Sequence, residues 1–332
     1  MALDLSRTLV VGISATALFD MSESDQIFRE MFDTDRDVAI DRYRDYMLAH
    51  EDLPLSPGTG FPLVQALLAL NAHLEAGEKS PLVEVVVMSR NSPETGLRVL
   101  NTIRHMKLDI TRSAFTAGES VVDYLDAFDV DLFLTTNVSD AQQVIDSRQC
   151  AAAIVKLPPK EAAQIPEGQV RIAFDGDAVL FSDESELVYK TKGMAAFHAR
   201  EDALQDVPMS DGPYANLLRK LAVLRKRLPM KIEYSPLRVA IVTARNSPSE
   251  MRVIKTLRSW GIYVDEAFFL GGVGKAKVLK AFKPHIFFDD QDVHLEAASS
   301  IVPSGKVPYM SSSPLGVQPV APDSSLGSIS ET

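Results

Sequence analysis

The chain repeats itself. Met88-Ser89-Arg90-Asn91-Ser92-Pro93 returns as Thr243-Ala244-Arg245-Asn246-Ser247-Pro248. Arg98-Val99-Leu100-Asn101-Thr102-Ile103-Arg104 returns 154 residues later as Arg252-Val253-Ile254-Lys255-Thr256-Leu257-Arg258. At that offset Leu63, Val64, Leu67 and Leu70 fall on Leu217, Leu218, Leu221 and Leu224, which is one apolar face of a helix in each place. Leu53-Pro54-Leu55-Ser56 falls on Val207-Pro208-Met209-Ser210, and Phe133-Leu134 on Phe287-Phe288. Near the start the offset widens to 162, where Leu18-Phe19 matches Leu180-Phe181, so the first copy carries extra residues after its first strand. Matches that run in order and nearly in register point to an internal duplication.

Each copy reads strand, helical insert, strand, helix, strand, helix, strand. That alternation belongs to an α/β fold with a parallel sheet, here two tandem Rossmann-like halves at residues 1–160 and 168–312. In the second half the apolar runs predict strands near 171–175, 237–243, 264–270 and 285–288. The helix after the second of these is marked by Ser247 as N-cap, Pro248 at the first helical position, Glu250 closing a capping box and Gly261 ending it. A polar, proline-rich link runs from Lys156 to Gly168, and the stretch from Ser313 to Thr332 reads as a disordered tail.

Two aspartates stand at the end of the strand Ile172-Ala173-Phe174, as Asp175-Gly176-Asp177. Carboxylates this close repel unless a cation lies between them, and magnesium is the usual cation where phosphate is the third party. A second acid pair, Asp289-Asp290, ends His285-Ile286-Phe287-Phe288 and poses the same problem. The net charge of −11 supplies no basic footprint for nucleic acid, so an anionic ligand has to be met by local positive groups and a metal. Lys275, after Gly271-Gly272-Val273-Gly274, is one such group, and Lys277 is a weaker candidate. A P-loop is ruled out here, since Phe269 and Ala276 occupy its obligatory Gly and Ser/Thr positions.

The single cysteine, Cys150, allows no internal disulfide and is read as a small core residue in a reducing compartment. Thr8–Phe19 reads as a buried first strand and not as a signal sequence. No run reaches the roughly 18 apolar residues of a membrane helix, and the expected location is the cytoplasm. The composition leaves a homo-oligomer open. His285 and His294 are isolated in sequence and are read as packed or solvated, not as a metal cluster.

Asp-x-Asp-x-Val after a hydrophobic strand resembles the first motif of the haloacid dehalogenase-like phosphohydrolases. The longer string Phe174-Asp175-Gly176-Asp177-Ala178-Val179-Leu180-Phe181-Ser182-Asp183-Glu184-Ser185-Glu186 resembles the cytosolic 5′-nucleotidase I family. So do Ala17-Leu18-Phe19, Leu53 to Gly58, Val242 to Arg245, Thr256 to Gly261 and Pro284 to Gln291.

The resemblance implies Mg²⁺-dependent hydrolysis of nucleoside 5′-monophosphates, AMP typically among them. It implies Asp175 as nucleophile and Asp177 as general acid and base. Thr243 would hold a phosphoryl oxygen and Lys275 would neutralise its charge. Asp289 and Asp290, with Asp175 and Asp177, would hold the metal, Asp177 through its main-chain carbonyl. A helical cap is expected over residues 183–235, and base selection is expected from the cap, from Phe181 and Ser182, from Ala244, Arg245 and Asn246, or from the first half.

The repeat serves as an internal control. Asp175 and Asp177 fall opposite Ile13 and Ala15, Thr243 opposite Met88, Lys275 opposite Val121 or a neighbour, and Asp289 and Asp290 opposite Thr135 and Thr136. On that alignment only the second copy keeps the phosphate-handling groups, so it is expected to be the catalytic half. The rival readings are a phosphatase of the same superfamily for another small phosphoester, and a nucleotide sensor without catalysis.

Overall fold

The computed structural model describes residues 4–159, 165, 168–229 and 235–316. The most β-branched runs, Leu9–Ile13 (LVVGI) and Val83–Ser89 (VEVVVMS), form strands buried along their whole length, as parallel strands covered on both faces must be. The strands are β1 (Leu9–Ile13), β2 (Val83–Ser89), β3 (Arg112–Phe115), β4 (Leu132–Thr135), β5 (Ala151–Val155), β6 (Val170–Phe174), β7 (Leu237–Thr243), β8 (Glu266–Phe269), β9 (Ile286–Asp289) and β10 (Ser304–Lys306). They form one sheet in the order β8-β7-β6-β9-β10-β5-β4-β1-β2-β3.

The first five strands and the last five follow the same order. In each set the first strand lies between the second and the fourth, the third is at the outer edge, and the fifth lies at the centre of the sheet. The sets meet where β10 runs antiparallel to β5, with Gly305 opposite Val155; the other neighbours in this sheet are parallel. A Cβ on Gly305 would lie 2.9 Å from the Cβ of Ala153, so the seam is closed too tightly for a larger residue.

The helices are α1 (Ser22–Phe32), α2 (Arg36–Ala49), α3 (Phe61–Ala69), α4 (Leu97–His105), α5 (Val138–Ser147), α6 (Glu184–Ala203), α7 (Ala215–Arg225), α8 (Glu250–Ser259), α9 (Ala276–Phe282) and α10 (Asp292–Ser299). The apolar faces expected at Leu63, Val64, Leu67 and Leu70 and at Leu217, Leu218, Leu221 and Leu224 are all buried. The extra residues of the first set fall on α1 and α2, which pack against each other. Among the described residues no helix is long and apolar enough to cross a membrane.

Strand β7 matches its expected bounds. β8 is shorter than 264–270 because it is an edge strand that pairs only with β7, over Glu266–Phe269. Helix α8 starts later than the capping signals suggest. Its cap residue is Ser249, and Ser247 and Pro248 lie outside the helix. The Ser249 hydroxyl donates back to Asn246 O at 2.6 Å, so it closes the preceding turn and does not accept from the helix. Gly261 does end α8. It has φ +69, its amide donates to Arg258 O, and Ile262 donates to Leu257 O, a Schellman arrangement.

The expected tail begins too early: Ser313 and Leu315 are buried, and Ser313 Oγ donates to the Asp183 carboxylate. The rest of that tail, 317–332, lies outside the described residues, as do most of the link between the sets and residues 230–234 of the expected cap.

His285 anchors β9 to the start of β6. Its amide donates to Arg171 O at 2.8 Å, and its Nδ1 accepts from Arg171 N at 3.0 Å. Burial, helped by the nearby Arg171 charge, lowers its pKa to about 4. A depressed histidine stabilises the fold while neutral. Its contribution is complete above the unfolded pKa of about 6.5 and is lost as pH falls toward about 4, on the order of 3 kcal/mol. His285→Asn keeps an acceptor without a titrating group. Urea denaturation between pH 7 and 4.5 should therefore give a flatter loss of stability for the variant than for the unaltered chain.

Candidate functional site

Parallel strands bring their C-terminal ends to one edge, and in open α/β sheets that edge carries the ligand site. Asp175 follows β6, with its amide donating to Phe288 O on β9 at 2.8 Å. One carboxylate oxygen accepts from Gly176 N at 2.7 Å and the other lies 2.9 Å from Lys275 Nζ. Lys275 precedes α9 and also donates to Asp289 Oδ2 at 2.6 Å. Asp289 ends β9, accepts from Gln291 N at 2.8 Å, and faces His294 Nδ1 at 3.2 Å. Asp290 takes a hydrogen bond from the Tyr309 hydroxyl on one oxygen; the other oxygen is buried and has no partner among the described residues.

Asp175, Asp289, Asp290 and Lys275 are all buried. Burial raises Asp175 to about 7, with Asp289 and Asp177 adding to the rise and Lys275 opposing it. Asp290 is pushed well above the usual range by burial and by Glu186, Asp175 and Asp289. Burial acts on Asp289 too, but Lys275 and His294 outweigh it and hold Asp289 low. Burial works against the charge of Lys275, and Asp175 and Asp289 outweigh it, so this lysine stays a cation.

Two of the three buried acids thus share one lysine, and the third keeps one orphaned carboxylate oxygen. Ligand atoms of Asp175, Asp289 and His294 lie within 4.8 Å of one another. These residues fit a divalent cation, which would offset the repulsion and give the orphaned oxygen a partner.

Asp177 is held elsewhere. Arg245 grips both its carboxylate oxygens, at 2.7 and 2.6 Å, and reaches Glu201 of α6 at 2.6 Å. Glu201 also binds Arg252 and the Ser185 hydroxyl. Burial alone would raise Glu201, but Arg245 and Arg252 hold it below the usual carboxylate range. Thr243 ends β7 beside this turn: a Cβ on Gly176 would lie 3.5 Å from its hydroxyl, which accepts from Arg245 N. The turn Gly176–Leu180 is a π turn with Ala178 in the left-handed region at φ 59, a strained conformation for alanine.

The structure therefore brings Asp175, Lys275 and Asp289 into one contact network. It places Asp290 beside them on Tyr309, Thr243 against Gly176, and the Asp177 side chain on Arg245. Of the expected base-selecting residues, Phe181 is fully buried against Trp260, with ring centres 5.5 Å apart, so it belongs to the core. Arg245 is buried as well, in its ion pairs. Asn246 bonds His198 at 2.9 Å, Ala244 is exposed, and Ser182 lines a cavity described below. Lys277 is exposed on α9, away from Lys275.

Cys150 behaves as expected: burial pushes its thiol up to about 12. His294, expected to be packed or solvated, joins the acidic site. Its signal is position, since it lies in the first turn of α10, five residues after the end of β9.

Hydrogen bonds also correct the alignment of the two sets. Asp175 N donates to Phe288 O as Ser14 N donates to Leu134 O, so the partners of Asp175 and Asp177 are Ser14 and Thr16. The bonds of Leu270 to Thr243 O and of Thr116 to Ser89 O likewise pair Thr243 with Ser89 and not with Met88. The π turn adds one residue after β6 that the α-turn Ala15–Leu18 lacks, and this displaced the register at Asp175 and Asp177. At the matching strand ends the first set has hydroxyls, linked from Ser14 to Thr16 at 3.1 Å and from Thr16 to Thr136 at 2.6 Å.

The family model described as 5′-nucleotidase matches residues 1–314. Human cytosolic 5′-nucleotidase 1B is 35% identical over 300 residues, which are 89% of this chain and 48% of that protein. The chain thus spans about half the length of this curated relative. No solved structure matches it significantly.

Truncating Arg245 leaves the buried Glu201 with Arg252, Ser185 and the longer contact to Arg200 at 3.9 Å. Removing one partner of a buried ion pair is strongly destabilising. Arg245→Ala should lower unfolding free energy by about 3 kcal/mol in urea at pH 7. An unchanged midpoint would show that Glu201 is not held by this arginine.

Proposed function

The chain belongs to the 5′-nucleotidase family, and from that premise we propose that it hydrolyses nucleoside 5′-monophosphates of the AMP type to nucleoside and phosphate. The observation that carries this reading is Lys275 spanning Asp175 and Asp289 at 2.9 and 2.6 Å in a buried, acid-rich site. Such a lysine keeps the nucleophile's carboxylate in place and offers charge to a phosphoryl group.

Asp175 attacks phosphorus, forming an aspartyl-phosphate while the bond to the ribose oxygen breaks. Asp177 gives that oxygen a proton. It then takes a proton from the water that attacks the aspartyl-phosphate and frees phosphate. Thr243 holds a phosphoryl oxygen. Asp175, Asp289, Asp290 and the carbonyl of Asp177 would hold Mg²⁺, with His294 beside them. When bound, the ion supplies charge stabilisation to the transferring phosphoryl group.

Asp177 has to leave Arg245 before it can carry a proton, because both its oxygens accept from that guanidinium. Arg245 in turn holds Glu201, so the exchange is tied to α6. This supports reading residues 183–235 as a helical cap that closes over the site and excludes water. The common strand order of the two sets supports an internal duplication, with residues 1–160 as the degenerate half and 168–312 as the catalytic half. The cytoplasm suits the reading.

Phosphate release from AMP, IMP, CMP, UMP and their deoxy forms, with and without Mg²⁺, tests it. Asp175→Asn should lose turnover on the order of 10⁴-fold or more. Chelation of divalent ions should abolish release, and Mg²⁺ should restore it. Equal rates on sugar phosphates would defeat the nucleotide assignment. A variant that keeps its turnover would defeat the nucleophile.

A further inference from the structure

A cavity of about 500 Å³ lies on the seam between the two sets of strands, within the size range of small-molecule sites. Three parts of the chain build it. Arg148, at the end of α5, comes from the first set. Ser182 lies just after the π turn, and Asn216 lies in the first turn of α7.

The third wall is the segment after β10, which is strapped across the seam. Gln142 Nε2 donates to Tyr309 O at 2.8 Å, and Ser311 donates to Asp146 from both its amide and its hydroxyl at 2.7 Å. On the other side Ser313 reaches Asp183.

The cavity borders the acidic site at two points. Ala178, in its wall, follows Asp177 directly. Tyr309 also lines it, and the hydroxyl of that residue lies on Asp290. Of the acids in the wall, Asp211 is gripped by Arg219 at 2.6 and 2.8 Å, and one oxygen of Asp183 accepts from Ser313. Among the described residues the Arg148 guanidinium, the Asn216 amide nitrogen and the Ser182 and Ser312 hydroxyls make no hydrogen bond. Met310, Pro213 and Pro308 supply apolar surface between them.

We infer that this cavity takes the nucleoside end of the substrate, with the phosphate directed past Tyr309 toward Asp175. The inference rests on the nucleotidase reading and adds a location and residues to it. A nucleoside is uncharged, flat on one part and ringed with donors and acceptors. The cavity matches that chemistry: Asp211 is neutralised by Arg219, the apolar wall can hold a ring, and Asp183, Asn216 and the hydroxyls are available for polar edges. Arg148 can stack on a base or donate to its acceptors. On this assignment the first set of strands contributes directly to binding, and the last five strands alone would have an incomplete site.

Arg148 and Asn216 are exposed, so Arg148→Ala and Asn216→Ala should fold normally. Each should raise KM for the preferred nucleoside monophosphate about 3- to 20-fold with kcat nearly constant. KM for glycerol 2-phosphate, which has neither base nor ribose, should stay the same. Calorimetric titration with adenosine, guanosine, cytidine and uridine, which needs no turnover, should show nucleoside affinity falling by the same factor.

Variants that change both substrates alike, or neither, would overturn the assignment while leaving nucleotidase activity standing. If the unaltered chain binds a nucleoside and the variants weaken it, but no nucleotide releases phosphate, the activity falls and the cavity stands.

Discussion

Repulsion among buried carboxylates is the constraint on which the rest of this structure depends. Asp175, Asp289 and Asp290 are delivered to one edge by adjacent parallel strands, β6 and β9, and all three are buried. Charges in such a place are tolerated only when paired. Lys275 pairs two of them, Tyr309 hydrogen-bonds the third, and one oxygen is left over. The site can therefore accommodate one more positive charge beside Asp175, Asp289 and His294.

The opposite half of the sheet shows what the same topology looks like without that problem. Ser14, Thr16, Ser89, Thr135 and Thr136 occupy the corresponding strand ends, and Val121 stands where Lys275 would be. Hydroxyls satisfy one another at 2.6 to 3.1 Å and need no cation. The turn after β1 is an ordinary helical turn, whereas the turn after β6 carries the extra residue and the left-handed Ala178. At the end of β6 a left-handed alanine and uncompensated charge thus occur together, as they do where backbone conformation is fixed for function.

Much of the architecture could be read from residues. The apolar faces at Leu63 to Leu70 and Leu217 to Leu224 were legible because burial of a helix face leaves a period in the sequence. So were β7, the Gly261 stop and the acids at the strand ends. The pairing of Asp175 with Ile13 was wrong by one residue, because a π turn differs from an α-turn by a single insertion, and sequence matching spread that insertion over the next apolar pair. Phe181 follows the acid motif and so reads as a ligand contact, yet its ring turns into the core against Trp260. Arg245 was read as a substrate contact, and nothing in its neighbourhood announced Glu201, 44 positions away on α6.

Residue order alone determined the alternation of strand and helix, the repeated order of those elements, and which acids, hydroxyl and lysine sit at strand ends. These follow from local periodicity and from chain neighbours. Tertiary structure alone decided that β10 meets β5 antiparallel and joins ten strands into one sheet, that Asp177 is held by Arg245, and that the strap after β10 closes a cavity on the seam. Each of those contacts joins residues whose meeting is set by packing of whole elements, and no local pattern records it.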